Sequence, residues 1–309
     1  MIDVPGGIAI QTDGKIVFSG TSCIDGSTCD AALVRLNSNG TLDTSFGVNG
    51  KVTIDGLSGN SLALQGNKIV GVGSVHDGTS WNGVVYRYNS NGSLDTTFSG
   101  DGILPINFGQ EDFFYAVAVY SGKIYVMGDS GPSDWSEGDF IVARINSNGT
   151  LDTAFSGDGK VRTSLGTVDS PYDLAISSGK VIVVGFSDNN IAIVRYTASG
   201  ALDTTFSGDG KLKSNLGFPS PVLRGVAIQS GKIVVSGKTD GGSGDALLAR
   251  FTSAGILDTT FSTDGIVTTD WGGGETYSSV MFNNARLYVV GTSKTTSNVR
   301  RFIIAAYKP

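Results

Sequence analysis

A segment close to LDTTF recurs five times, a second close to GKIVVSG recurs six times, and no stretch shows a helical apolar period. Together these predict an all-β chain, a six-bladed β-propeller with four-stranded antiparallel blades. The composition agrees. With 45 Gly, 7 Pro and 39% hydrophobic residues, the chain suits many short strands joined by tight turns, since Gly and Asn supply turn positions at positive φ.

The fourth copy shows how each unit divides. YDLAI reads as strand one, SSGK as a turn, VIVVG as strand two and IAIVRY as strand three; after TASGALDTTFSGDG, KLKSNL is strand four. Strand two is marked in all six units. A basic residue (Lys15, Lys68, Lys123, Lys180, Lys232, Arg286) stands five before a glycine (Gly20, Gly73, Gly128, Gly185, Gly237, Gly291), and the run between them is rich in β-branched residues. LDTSF (42–46), LDTTF (94–98), LDTAF (151–155), LDTTF (202–206) and LDTTF (257–261) mark the connection from strand three to strand four.

One propeller domain over residues 1–309 is expected, with blades at about 5–55, 56–107, 108–164, 165–215, 216–269 and 270–309. The sixth unit stops at FIIAAYKP, after its third strand. MIDV at the other end is therefore expected to supply the missing strand and so remove open sheet edges.

The composite of GKIVV-G followed by R-NSNG-LDTTFSGDGK-T resembles the delta-60 repeat family of bacterial extracellular repeats over nearly the whole chain. The resemblance implies a propeller-like fold and a cell-surface setting, and it brings no catalytic residues with it.

An Arg and an Asp keep a fixed spacing of eight in five units: Arg35 and Asp43, Arg87 and Asp95, Arg144 and Asp152, Arg195 and Asp203, Arg250 and Asp258. In the sixth unit the Arg slot holds Ala306, and that unit has no LDT segment. A guanidinium lost together with its would-be acid reads as a structural pair. The Phe of the motif (Phe46, Phe98, Phe155, Phe206, Phe261) reads as a plug between blades. A second acid, Asp101, Asp158, Asp209 or Asp264, precedes a glycine as turn chemistry requires. The residues between the two acids are poor calcium ligands, so no cofactor is expected, with calcium the one left open.

The net charge of −6 and the lack of any basic run exclude a nucleic-acid backbone as partner, and no apolar stretch is long enough to cross a bilayer. The N-terminus lacks a signal-peptide pattern, so any targeting segment is expected outside this sequence. Cys23 and Cys29, the only cysteines, are expected to form a disulfide in an oxidising compartment. With His76 the only histidine, neither a histidine-based triad nor a multi-histidine metal centre can be assembled. Asp112, Asp169 and Asp173 stand near the starts of first strands without a pattern that assigns them a role.

In a meander blade the two–three and four–one connections emerge at one end, and here those connections differ from copy to copy. They hold Trp81, Trp135 and Trp271, together with His76, Phe113, Phe114 and Phe218. Aromatic area among small polar residues on a rigid scaffold suits recognition. Tyr115, Tyr172 and Tyr277, at strand starts, read instead as packing residues. The expectation is a non-enzymatic binding or adhesion module, monomeric and extracellular or on a bacterial surface, holding a glycan or a protein and belonging to a longer surface protein or standing alone. The alternatives are a metal-dependent hydrolase or lyase with its site in the central tunnel, and a structural spacer.

Overall fold

A computed structural model describes residues 2–23, 29–133, 138–241, 244–295 and 299–308. The fold is that of a six-bladed β-propeller, all β and without helices among the described residues. The chain divides into two compact units, Met1–Thr163 and Ser164–Pro309, with three blades in each.

In the first unit, blade one is Ile2–Ile10, Ile16–Cys23, Cys29–Leu36 and Lys51–Asp55; blade two is Ser61–Gln65, Lys68–His76, Trp81–Tyr88 and Ile103–Ile106; blade three is Glu111–Tyr120, Lys123–Gly131, Asp139–Ile145 and Lys160–Thr163. Blades four and five of the second unit begin at Asp169 and Val222 and end at Ser214 and Thr269. All five are antiparallel meanders in chain order. Blade six has Gly273–Asn283, Arg286–Thr295 and Arg300–Tyr307, with no fourth strand among the described residues.

The N-terminal segment corrects one expectation. Ile2, Asp3 and Val4 pair with Cys23, Ser22 and Thr21, so they lengthen strand one of blade one and are not a fourth strand for blade six. The reason lies at Gly6 and Gly7. There the ladder continues without interruption by a register shift between Pro5 and Ile8, a bulge, so the first residues stay in the same strand.

The same bulge explains the recurring glycine of strand two. Register shifts occur between Met127 and Gly128 in blade three and between Tyr277 and Ser279, opposite Gly291, in blade six. A Cβ at Gly128 would lie 1.7 Å from the carbonyl oxygen of Phe113, and one at Gly291 would lie 1.9 Å from that of Thr276. Only a residue without a side chain lets the bulged backbone approach so closely.

Within each unit, cores form between successive blades because alternate side chains of each sheet face opposite neighbours. Val84 and Tyr86 meet Ala31 and Leu33 of blade one, whereas Val85 meets Ile141 and Ala143 of blade three. In the second unit Ile191 and Ile193 pack on Leu247 and Ala249, and Leu248 packs on Val289 and Ile303.

The LDTTF connection locks this stack. Arg87 Nε lies 2.8 Å from Asp95 Oδ2, and Lys68 Nζ reaches the same oxygen at 3.1 Å. The arrangement recurs with Arg35, Lys15 and Asp43; Arg144, Lys123 and Asp152; Arg195, Lys180 and Asp203; and Arg250, Lys232 and Asp258. Thr97 Oγ1 donates to the other oxygen, Asp95 Oδ1, at 2.7 Å. Burial alone would raise the Asp95 carboxyl; the donors Thr97 and Lys68 and the charge of Arg87 outweigh it and hold the group at about 2. Each guanidinium also lies over the motif Phe, 4.7 Å from the Phe98 centroid, and that ring is fully buried.

The bracket also reaches the following blade. Arg35 Nη1 donates to the Ser90 carbonyl and Arg87 Nη1 to that of Ser147, both at 2.5 Å, while the amide of Ser99 donates to the Asn148 carbonyl at 3.0 Å. The second acids are turn caps: Asp101 accepts the amide of Ile103 at 2.9 Å, and Asp158, Asp209 and Asp264 do the same for the residue two further on. Both oxygens of Asp95 are committed to donors, so the loop presents no pair of free acids to an ion.

Candidate functional site

The variable connections separate two kinds of aromatic residue. Phe114 is fully buried and packs edge-on to Phe108, at 6.3 Å between centroids. Phe218 packs against the core between blades four and five. Both were expected on a recognition surface; both lie where the strand start or the connection folds back over the apolar core. Trp135 lies outside the described residues. The tyrosines serve packing: Tyr277 is buried with its hydroxyl 2.6 Å from that of Tyr307, Tyr172 lies under Arg224, and Tyr115 donates to Asp129 at 2.9 Å. Trp271 is half exposed.

His76, Trp81 and Phe113 form one group. His76 and Trp81 face each other across strands two and three of blade two, at the mouth of their hairpin, with ring centroids 5.2 Å apart and the rings edge to face. The Trp81 ring continues to Phe113 of blade three at 5.9 Å. The Trp81 amide donates to Glu111 Oε2 at 2.7 Å, tying a two–three connection to the start of the next blade.

Asp77 fixes the hairpin itself. Its Oδ1 accepts the amides of Thr79 and Ser80 and the Thr79 hydroxyl, and its Oδ2 accepts Asn82 Nδ2 at 2.9 Å. These donors, led by Thr79, hold the Asp77 carboxyl well below the usual range. The result is an aromatic shelf that is 36% exposed at Trp81, bordered by a carboxylate and fixed before any ligand arrives. It can stack on an apolar ring face and accept hydrogen bonds from hydroxyls beside it.

A second pattern sits at the same end of the blades and was not recognised in sequence. In four blades an acid at the start of strand one stands opposite a serine two residues after the recurring glycine: Asp3 and Ser22, Asp112 and Ser130, Asp169 and Ser187, Glu275 and Ser293. Ser22 donates to Asp3 at 2.8 Å and Ser293 to Glu275 at 2.9 Å. Blades two and five carry Val75 and Thr239 in the serine slot. Asp112 accepts the amide of Phe108 at 2.6 Å, and Asp169 accepts that of Leu165 at 2.7 Å, so these acids also pin the four–one connection. Burial raises the Asp112 carboxyl and lifts Asp129, which receives the Tyr115 hydroxyl, to about 6. Asp173 rises to about 6 for the same reason, although it accepts the amides of Val226 and Leu174. Cys23 and Cys29 are joined by a disulfide across the mouth of blade one's two–three connection.

Five segments of the chain, 11–46, 67–98, 121–155, 176–206 and 229–261, match the model of a family described as "Domain of unknown function (DUF5122) beta-propeller". They make up more than half of the sequence and contain the bracket of each of the first five blades. No curated protein matches the sequence. Among solved structures, Sqt1 from Chaetomium thermophilum is similar at 16% identity and a TM-score of 0.57, over 99% of this chain and 69% of its own. The acylaminoacyl peptidase of Pyrococcus horikoshii aligns at 10% identity and a TM-score of 0.54, over 98% of this chain and 45% of its own. The subtype N10 neuraminidase-like protein of A/little yellow-shouldered bat/Guatemala/060/2010 aligns at 11% and 0.53, over 99% of both chains. The chain thus spans about half the length of the peptidase. Likeness at such identity shows the fold alone.

Proposed function

The chain belongs to the DUF5122 beta-propeller family, and from that premise we propose that it is a non-enzymatic binding module that holds a glycan on the shelf formed by His76, Trp81 and Phe113. The carrying observation is the pre-formed stack with the Glu111 carboxylate at its border. A pyranose presents an apolar C–H face and peripheral hydroxyls, the complement of such a shelf. Rigid support lowers the ordering cost that weak sugar contacts would otherwise have to offset.

The repeats are of the delta-60 type in this reading, and the setting is the bacterial cell surface or medium. A disulfide that occupies the only two cysteines suits that setting. A glycan array probed with the whole chain tests the function, with Trp81→Ala alongside. The reading expects a discrete set of bound sugars, lost in the variant. No sugar bound, or the same sugars bound equally by both proteins, would overturn it.

A further inference from the structure

Blade six departs from the acid–serine pattern in one respect: its acid is a glutamate, and two more carboxylates converge on it. Asp245 stands just before strand three of blade five, and Asp270 lies in the connection to blade six. One carboxylate oxygen from each of Asp245, Asp270 and Glu275 lies within 4.8 Å of the other two. Local structure fixes all three. The amide of Glu275 donates to the Gly244 carbonyl at 2.8 Å, Thr239 exchanges hydrogen bonds with the backbone of Asp245, and Asp270 accepts the amide of Gly272 at 2.6 Å.

Thr239 is the residue of blade five's serine slot. With no acid opposite, its hydroxyl instead accepts the amide of Asp245 at 2.9 Å and so anchors the backbone that carries that carboxylate.

Proximity of acids is not by itself a site, but Glu275 adds an independent observation. It is fully buried; Ser293 satisfies Oε1, while Oε2 is sequestered from water with no hydrogen-bond partner. No Lys or Arg pairs with any of the three among the described residues. A buried carboxylate oxygen without a donor is costly unless a cation completes it.

We propose that Asp245, Asp270 and Glu275 bind a calcium ion that fastens the start of blade six to the two–three connection of blade five. The ligand set is all oxygen, which selects a hard cation. Three oxygens so spaced share a centre within roughly 2.8 Å of each. That suits calcium–oxygen distances of about 2.3–2.6 Å after slight closure better than the roughly 2.1 Å that magnesium demands. Carbonyls and water complete the shell, since calcium takes about six to eight ligands. The site is independent of the glycan shelf.

The test is calorimetric titration of the whole chain, stripped with chelator, with calcium and then with magnesium. One calcium per chain is expected, with magnesium clearly weaker and a calcium-dependent rise in melting temperature. Glu275→Gln and Asp270→Asn should each weaken calcium by about tenfold or more, while Asp264→Asn, an exposed turn acid, should not. If Glu275→Gln does not fold, the exposed Asp270→Asn decides. No saturable calcium binding by the native chain, or binding unchanged in Asp270→Asn, overturns the proposal.

Discussion

The two ends of a blade solve opposite problems with the same residue types. At the LDTTF end each carboxylate meets an Arg, a Lys and, in most copies, a hydroxyl, and the Phe beneath is sealed from water. At the other end Asp112, Asp169 and Glu275 are as deeply buried, yet each keeps one oxygen without a partner. Closed chemistry accompanies near-identical sequence; open chemistry accompanies sequence that changes from copy to copy. Constancy between repeats therefore reports what all blades need to stand together, and the differences mark where individual blades can meet something else.

The largest effect should come from breaking the closed end. Asp95→Ala leaves Arg87 buried beside Phe98 with Lys68 near it, and removing one member of a buried pair costs about 3–5 kcal/mol. Chemical denaturation of both proteins measures this. A loss below about 1 kcal/mol would place the bracket among ordinary surface ion pairs. Gly128→Ala ranks next. The new methyl would meet the Phe113 carbonyl at 1.7 Å and push strand one off its bulge, a strain of about 1–3 kcal/mol. The shift would also move Phe113 and so loosen the aromatic shelf, which quenching of Trp81 fluorescence would reveal.

These two cases show what the sequence made legible. The Arg–Asp pair could be read because both members lie in one connection of fixed length, and Ala306 supplied a natural control. Lys68 was visible as a strand marker, but its partner Asp95 was not, since that contact crosses two strands. The acid–serine pairs were missed although a signal existed. Separations of 19 for Asp3 and Ser22 and 18 for Glu275 and Ser293 nearly coincide, but two of the six blades lack the pair and the acid changes identity. Phe114 and Phe218 could not be told from Phe113 and Trp81 by composition. What separates them is which way a bulged strand or a folded-back connection turns a side chain, and residue type does not encode that.

Acid titration should separate the two ends without any mutation. Asp95, held at about 2 in the folded chain, contributes stability that is complete above its unfolded value near 3.8 and disappears as pH falls toward 2. Asp129 and Asp173, raised to about 6, have the opposite sign: the native state takes up their protons first, so stability grows as pH falls from about 6 toward 4. Melting temperature should therefore pass through a maximum between about pH 4 and 5 and then collapse. Asp173→Asn should flatten the rise and leave the collapse in place. A profile that falls steadily from neutrality would contradict the burial of these two acids.

The smallest expected change in stability lies at the open end. Trp81→Ala removes a ring that is 36% exposed and touches mainly His76 and Phe113, while the Asp77 turn and the Trp81 amide bond to Glu111 belong to backbone and neighbours that remain. A loss of about 1 kcal/mol or less is expected, a fraction of that for Asp95→Ala. Should the two variants cost the same, the shelf would be part of the frame, and its aromatic rings would be packing rather than a surface kept for a ligand. If Trp81→Ala melts like the native chain yet binds no sugar, the division of labour between the two ends holds for the chain's activity as well as for its architecture.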